Sequence, residues 1–178
     1  MVTFVISSGH AKHVPGAVGI ISEVENARLV TEEVAKMLRE LDNTVYTFHD
    51  NTSDDQSENL STITSFHNSK QRDYDVSVHF NSYEDPAANG TEVLYVTQEE
   101  LASDIADAIS EASGLFDRGG KYRDNLAFLN NTDRPSVLLE ICFVTNQNDV
   151  DVYHDMFTAI CFAIAKTLDE YGEVGEIA

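Results

Sequence analysis

Positive charge is scarce in this chain: 11 lysines and arginines stand against 31 aspartates and glutamates, a formal net charge of −20 over 178 residues. The basic footprint of a nucleic-acid binder is therefore missing, and anionic polymers are repelled at low salt. The acidic residues are spread along the chain and not gathered in one tail, which suits a general surface property such as solubility. Cysteine is scarce too. Cys142 and Cys161 are the only two, with no CxxC, so a disulfide framework is excluded and both read as small buried hydrophobes. No run approaches the apolar length of a membrane span, so membrane insertion is not expected. The start, Met1-Val2-Thr3-Phe4-Val5-Ile6, has neither a basic n-region nor a long apolar h-region. That argues against a cleaved signal peptide and for synthesis in a cytoplasm. A local metalloprotease motif of the HExxH kind is absent as well.

What is present is globular. Hydrophobic residues make up 42% of the chain, enough for one sizeable core. With no internal repeat, low-complexity segment or linker, residues 1–178 read as a single domain with an acidic, fraying tail at 169–178. A monomer is the expected state.

Strand and helix patterns alternate. Val2 to Ile6 is a short apolar strand, followed by a loop holding Gly9, His10, His13, Pro15, Gly16 and Gly19. From Ser22 the period becomes helical: Ala27, Val30, Val34, Leu38 and Leu41 share one face, and Ser22 with Glu25 suggests a capping box. Thr44 to His49 is a second strand, and residues 56–71 a helix carrying Leu60, Ile63 and His67. Asp73 to Ser82 is a third strand, in which Val76, Val78 and Phe80 alternate with Ser77 and His79. Thr91 to Thr97 is another strand, and Leu101, Ile105 and Ile109 mark a helix ending near Gly114. Residues 114–125 read as a loop, locally basic through Arg118, Lys121 and Arg123. Leu126 to Leu129 is a strand candidate, Ser136 to Phe143 an apolar strand, and Tyr153 to Leu168 a last amphipathic helix. This alternation predicts an α/β domain: a mainly parallel, twisted sheet of about six strands with helices on both faces.

Open α/β sheets place their chemistry at the carboxyl ends of strands. His10, His79 and Glu140 lie near such ends, and Glu23 opens the helix after the first loop. Two histidines and one carboxylate make a catalytic zinc sphere with a position left for water, and a further carboxylate could then take the water's proton. Plainer alternatives stand beside this. His79 could close a strand by bonding a neighbouring backbone, Glu23 could stabilise its helix dipole, and Glu140 could form a buried salt bridge with a loop arginine. Burying Glu140 demands either a strong partner or a raised pKa.

The motifs resemble those of the zinc-dependent N-acetylmuramoyl-L-alanine amidases of amidase type 3, and most of all the catalytic modules of phage endolysins. The resemblance is carried by Ser8-Gly9-His10, by Pro15 to Gly19 leading to Glu23, by Ser77 to Ser82, by Gly90 to Tyr95 and by Leu138 to Asn146. It implies Zn²⁺ held by His10, Glu23 and His79, with Glu140 as the catalytic glutamate. Glu23 is preferred to Glu25 because it keeps the spacing to Arg28, Val30 and Val34. The locally basic Arg118, Lys121 and Arg123 are candidate contacts for stem-peptide carboxylates, and Asn81 is a further candidate substrate contact. The chain departs from the pattern at Ala11-Lys12 and at Cys142, where the family often has glycines. The implied reaction is hydrolysis of the amide between N-acetylmuramic acid and L-alanine in peptidoglycan, leading to lysis of a bacterial cell wall. A related zinc peptidase or deacetylase, or a non-catalytic wall-binding module, is the alternative.

Overall fold

The computed structural model describes residues 1–175, the side chains of 173–175 excepted. Its six strands form one sheet in the order β2-β1-β3-β6-β4-β5. The strands are β1 (Thr3–Ser8), β2 (Thr44–Phe48), β3 (Tyr74–Asn81), β4 (Thr91–Tyr95), β5 (Asp117–Tyr122) and β6 (Ser136–Phe143). The helices are α1 (Glu23–Glu40), α2 (Gln56–Asn68), α3 (Glu99–Ser113), α4 (Ala127–Asn131), α5 (Gln147–Asp155) and α6 (Phe157–Gly175). All pairings are parallel except β4 with β6. The α/β class, the mainly parallel six-stranded sheet and the helices on both faces are therefore as the sequence predicts. No helix among the described residues is long and apolar enough to cross a membrane.

The period-two alternation of the strands sorts the two faces. Phe4 and Ile6 of β1, Val76, Val78 and Phe80 of β3, and Leu139 and Ile141 of β6 enter the main core with α1, α3 and α6. The opposite face is thinly covered. A small cluster of Ile63, Leu94, Phe128, Leu129 and Leu138 packs there, supplied by α2, α4 and the sheet. Polar groups share that second face. The buried Ser7, His67 and Asp75 form a chain in which His67 Nδ1 lies 2.8 Å from Asp75 Oδ1 and Nε2 lies 2.9 Å from Ser7 Oγ. Arg72 closes it, donating from Nε and Nη2 to the two Asp75 oxygens at 2.9 and 2.7 Å. The order resembles a hydrolase triad, yet none of its three members reaches solvent. It pins α2 to β1 and β3.

Four local expectations are corrected. The capping box does not form: Ser22 has N-cap backbone angles, but its side chain makes no cap hydrogen bond. Residues 117–122, expected as loop, are the edge strand β5. Glycine, lysine and arginine have little strand preference of their own, so pairing with β4 decides the conformation. Gly120 lets α3 lie close, since a Cβ there would stand 2.8 Å from Ser103 Oγ. Leu126 to Leu129, expected as strand, enters the short helix α4, because a four-residue apolar run does not distinguish the two. The last helix is two, α5 and α6, joined at Met156. Helix α6 runs to Gly175, and residues 176–178 lie outside the described residues.

Candidate metal centre

The parallel strands β1, β3 and β6 end at one edge of the sheet. His10 follows β1, His79 is near the end of β3, and Glu140 stands on β6 in register with His79. Glu23 reaches the same place from the first turn of α1, because the loop of residues 9–22 wraps the sheet edge. That loop is pinned by Gly9 N donating to Val78 O at 2.9 Å and Ile20 N donating to Val144 O at 2.8 Å. Ligand atoms of His10, Glu23 and His79 all lie within 4.8 Å of one another. Glu23 Oε1 is 3.0 Å from His10 Nε2 and 3.1 Å from His79 Nδ1, and it accepts from Phe80 N at 3.1 Å. Its Oε2 accepts from Ala17 N at 2.7 Å. The imidazoles meet edge to face with centroids 4.9 Å apart.

Electrostatics sort these groups. Burial works to raise the Glu23 carboxyl, but the bonds and charges of His10 and His79 prevail and hold it well below the usual carboxylate range. Burial pushes the His79 imidazole down, against the opposing pull of Glu23. An ionised carboxylate beside a neutral imidazole is the state in which both offer lone pairs to a cation. Glu140 goes the other way. Burial, reinforced by the charges of Glu23 and Glu92, pushes its carboxyl well above the ordinary value. Its Oε2 is buried with no hydrogen-bond partner.

These residues fit a zinc ion. Two imidazole nitrogens and one carboxylate oxygen converge, a donor set that suits zinc and leaves a fourth position open. The backbone is cut away to allow it: a Cβ on Gly9 would overlap the His79 ring, and one on Gly16 would overlap Glu23 and crowd His10. The orphaned Glu140 oxygen is a further carboxylate on the strand beside His79. Beside the ligands, a hollow of about 240 Å³ opens between α2, α4 and the sheet, lined by Leu60, Ile63, Phe128 and Leu138 and reaching His10 and His79.

The expected substrate contacts divide. Asn81 and Arg118 come to the same edge of the sheet and share Glu92: Asn81 Nδ2 donates to Oε1 at 3.1 Å and Arg118 Nε donates to Oε2 at 2.7 Å. Lys121 and Arg123 lie toward the other end of the ladder, where Lys121 is in register with Leu94 and Arg123 N donates to Tyr95 O. The loop arginine foreseen as a salt-bridge partner for Glu140 pairs with Glu92 instead. Glu92, in antiparallel register with Glu140, is the residue that sequence reasoning passed over. Its signal was the one that singled out Glu140, a carboxylate inside a short apolar strand.

Comparison with known proteins identifies a family and a shared fold. A family model described as N-acetylmuramoyl-L-alanine amidase matches residues 4–169. A 38.4 kDa protein of Clostridium perfringens is 32% identical over 169 residues, covering 90% of this chain and 49% of its own length. The chain spans about half the length of the C. perfringens relatives it matches. The catalytic domain of the CD27L endolysin targeting Clostridia difficile shares the fold with a TM-score of 0.88 at 23% identity, covering 94% of this chain and 96% of that one. The catalytic domain of CwlV, an N-acetylmuramoyl-L-alanine amidase from Bacillus (Paenibacillus) polymyxa var. colistinus, superposes with a TM-score of 0.75 at 27% identity, covering 96% of this chain and 98% of that one.

Proposed function

Because this chain belongs to the N-acetylmuramoyl-L-alanine amidase family, we propose that it is a single catalytic domain that hydrolyses the amide joining N-acetylmuramic acid to L-alanine in peptidoglycan. The observation that carries the reading is the meeting of His10, Glu23 and His79 beside an unpartnered Glu140. In this reading the three residues hold Zn²⁺ and Glu140 is the general base and acid. A bound zinc ion would polarise the scissile carbonyl and make water acidic enough to attack near neutral pH.

The protein's own groups supply the rest. Glu23 is anchored by Phe80 N and Ala17 N, so its position does not depend on the ligand it holds. Glu140 stands one strand over from His79, where its free Oε2 can accept a proton from the attacking water and return it to the leaving amine nitrogen. Burial holds this carboxyl above its ordinary value, which favours its return of the proton to the leaving amine. The hollow beside His10 and His79 gives the substrate's apolar parts a surface away from water.

The wall is then the site of action, and an endolysin-type lytic role is part of the same proposal. Product analysis tests it. Purified peptidoglycan digested by the zinc-supplied protein should gain alanine N-termini and release no acetate. Free acetate would make the protein a deacetylase, and a cut between amino acids a peptidase. Undiminished wall binding with no bond cleaved, in both the native protein and Glu140→Ala, would identify a binding module.

A further inference from the structure

Resting on the amidase reading above, we propose that Arg118 recognises a carboxylate on the peptide side of the scissile amide, and that Glu92 and Phe143 are the positioning residues that hold its guanidinium for the purpose.

Topology brings Arg118 to the site. Because β4 runs antiparallel to β6, the start of β4 lies at the edge where β1, β3 and β6 end. Strand β5 is parallel to β4, so its start lies there too, while Lys121 and Arg123 are carried away. A bulge then aims the side chain. Thr91 pairs with Asp117 and Val93 with Gly120, so Arg118 and Gly119 together oppose Glu92. Gly119 takes the left-handed φ of 74° that this requires. Bulges of this kind beside active sites re-aim a side chain.

The guanidinium is fixed on two sides and open on a third. Nε donates to Glu92 Oε2 at 2.7 Å, and Cζ lies 5.1 Å from the centroid of the Phe143 ring. Glu92 is itself held, since its Oε1 accepts from Asn81. The remaining edge is barely used: Nη1 makes one long contact to Asn89 O at 3.4 Å, and no hydrogen bond of Nη2 occurs among the described residues. The Arg118 side chain is 34% exposed. A planar fork clamped by its Nε and stacked on a ring loses little freedom when a carboxylate arrives, which is the condition for strong bidentate recognition.

The order of the strands fixes which part of the substrate this is. His10 follows β1, His79 is on β3, Glu140 on β6, Glu92 on β4 and Arg118 on β5, in that spatial sequence. The amine that receives a proton from Glu140 therefore faces the Arg118 side. Two strand spacings separate Glu140 from Arg118, roughly 10 Å before the side chains reach toward each other. An extended peptide covers that in about two or three residues. The carboxylate is thus one borne by the residue after the alanine, and the ligand class is an acidic stem peptide.

The test is binding, in a zinc-loaded Glu140→Gln protein that leaves its ligand uncut. Calorimetry would compare an N-acetylmuramoyl dipeptide whose second residue has free carboxylates with the same compound amidated. The acid form should bind about tenfold or more tighter, in line with a charge-assisted hydrogen-bonded pair. Arg118→Gln should bring the two ligands within about twofold. Since that variant strands the buried Glu92, the Glu92→Gln/Arg118→Gln double variant repeats the measurement with Glu92 neutral as well, and it should give the same result. Glu92→Gln alone should reduce the preference while keeping the cation. A preference that survives in the Arg118 variants, or its absence when Arg118 is present, or no binding of either compound, would overturn the inference. Restoring Glu140 separates the two ideas: Arg118-dependent binding of an acid compound that is then never cleaved refutes the amidase and leaves the recognition residue standing.

Discussion

His79 and Glu140 stand opposite each other across the parallel β3–β6 pairing, on the thinly covered face of the sheet. One bears a nitrogen directed at Glu23, the other an oxygen directed at nothing. The proposed division of labour between holding a cation and moving a proton rests on that register. Glu140→Gln keeps the side-chain volume and removes the base. We expect it to retain its zinc and its fold and to lose about 100–10,000-fold in amide hydrolysis. Zinc content measured beside product release checks both halves, and an active Glu140→Gln protein would remove Glu140 from the mechanism.

Gly9 packs against the His79 ring so closely that any Cβ overlaps it. Gly9→Ala should therefore displace a ligand without touching a chemical group. The expected result is a folded protein whose zinc affinity falls at least ~10-fold, the scale of an outer-shell defect. Competition with a chelator reads this directly. Unchanged affinity would mean that the site is looser than it looks.

The buried His67 gives a pH dependence of stability. Its imidazole is pushed below the ordinary value chiefly by burial, with the Arg72 charge adding and the Asp75 bond opposing. Asp75 accepts from Nδ1–H and Ser7 donates to Nε2, so the neutral ring is satisfied on both sides. Above about pH 6.5 neither the folded nor the unfolded chain protonates it, and its contribution is complete. Below that value the unfolded chain takes up the proton first. Stability should then fall with falling pH, by up to ~1.4 kcal/mol per pH unit for this group. His49 is shifted in the same direction and adds to the fall. Denaturant titrations from pH 7.5 to 5 on the native protein and His67→Gln isolate its share, since the variant should show the shallower slope.

With a net charge of −20, the protein is repelled by walls rich in anionic polymer. Screening shortens that repulsion to about 10 Å at 0.1 M salt. Digestion of whole walls should rise from low to moderate ionic strength, while a small soluble muropeptide should show much less change. Wall digestion that declines steadily from the lowest salt upward would contradict this.

The sequence revealed the frame because the frame is written in periodicity. The alternation of Val76, Val78 and Phe80 with Ser77 and His79 separates a core face from a chemical one, and the structure buries the former and clusters the latter. The members of the candidate metal cluster were also readable, as polar residues placed after a strand, near a strand end or at the start of a helix. What escaped was context. Strand β5 contains two glycines and two cations and becomes a strand only because β4 offers it an edge. The repeat of Tyr153, Phe157, Ile160 and Ile164 passes through Met156 unbroken, so nothing in it marks the junction of α5 and α6. Glu92 was visible as an odd carboxylate, but its pairing with Arg118 depends on a bulge that no spacing announces.

Metal content decides whether His10, Glu23 and His79 hold an ion. The purified protein, supplied with zinc and then stripped of loosely bound ions, would be assayed by elemental analysis beside His79→Ala, with melting curves to confirm that both are folded. The account predicts about one zinc per native chain and a large loss in the variant. A native protein that folds and takes up no zinc, or a His79→Ala protein that keeps it, would contradict the account.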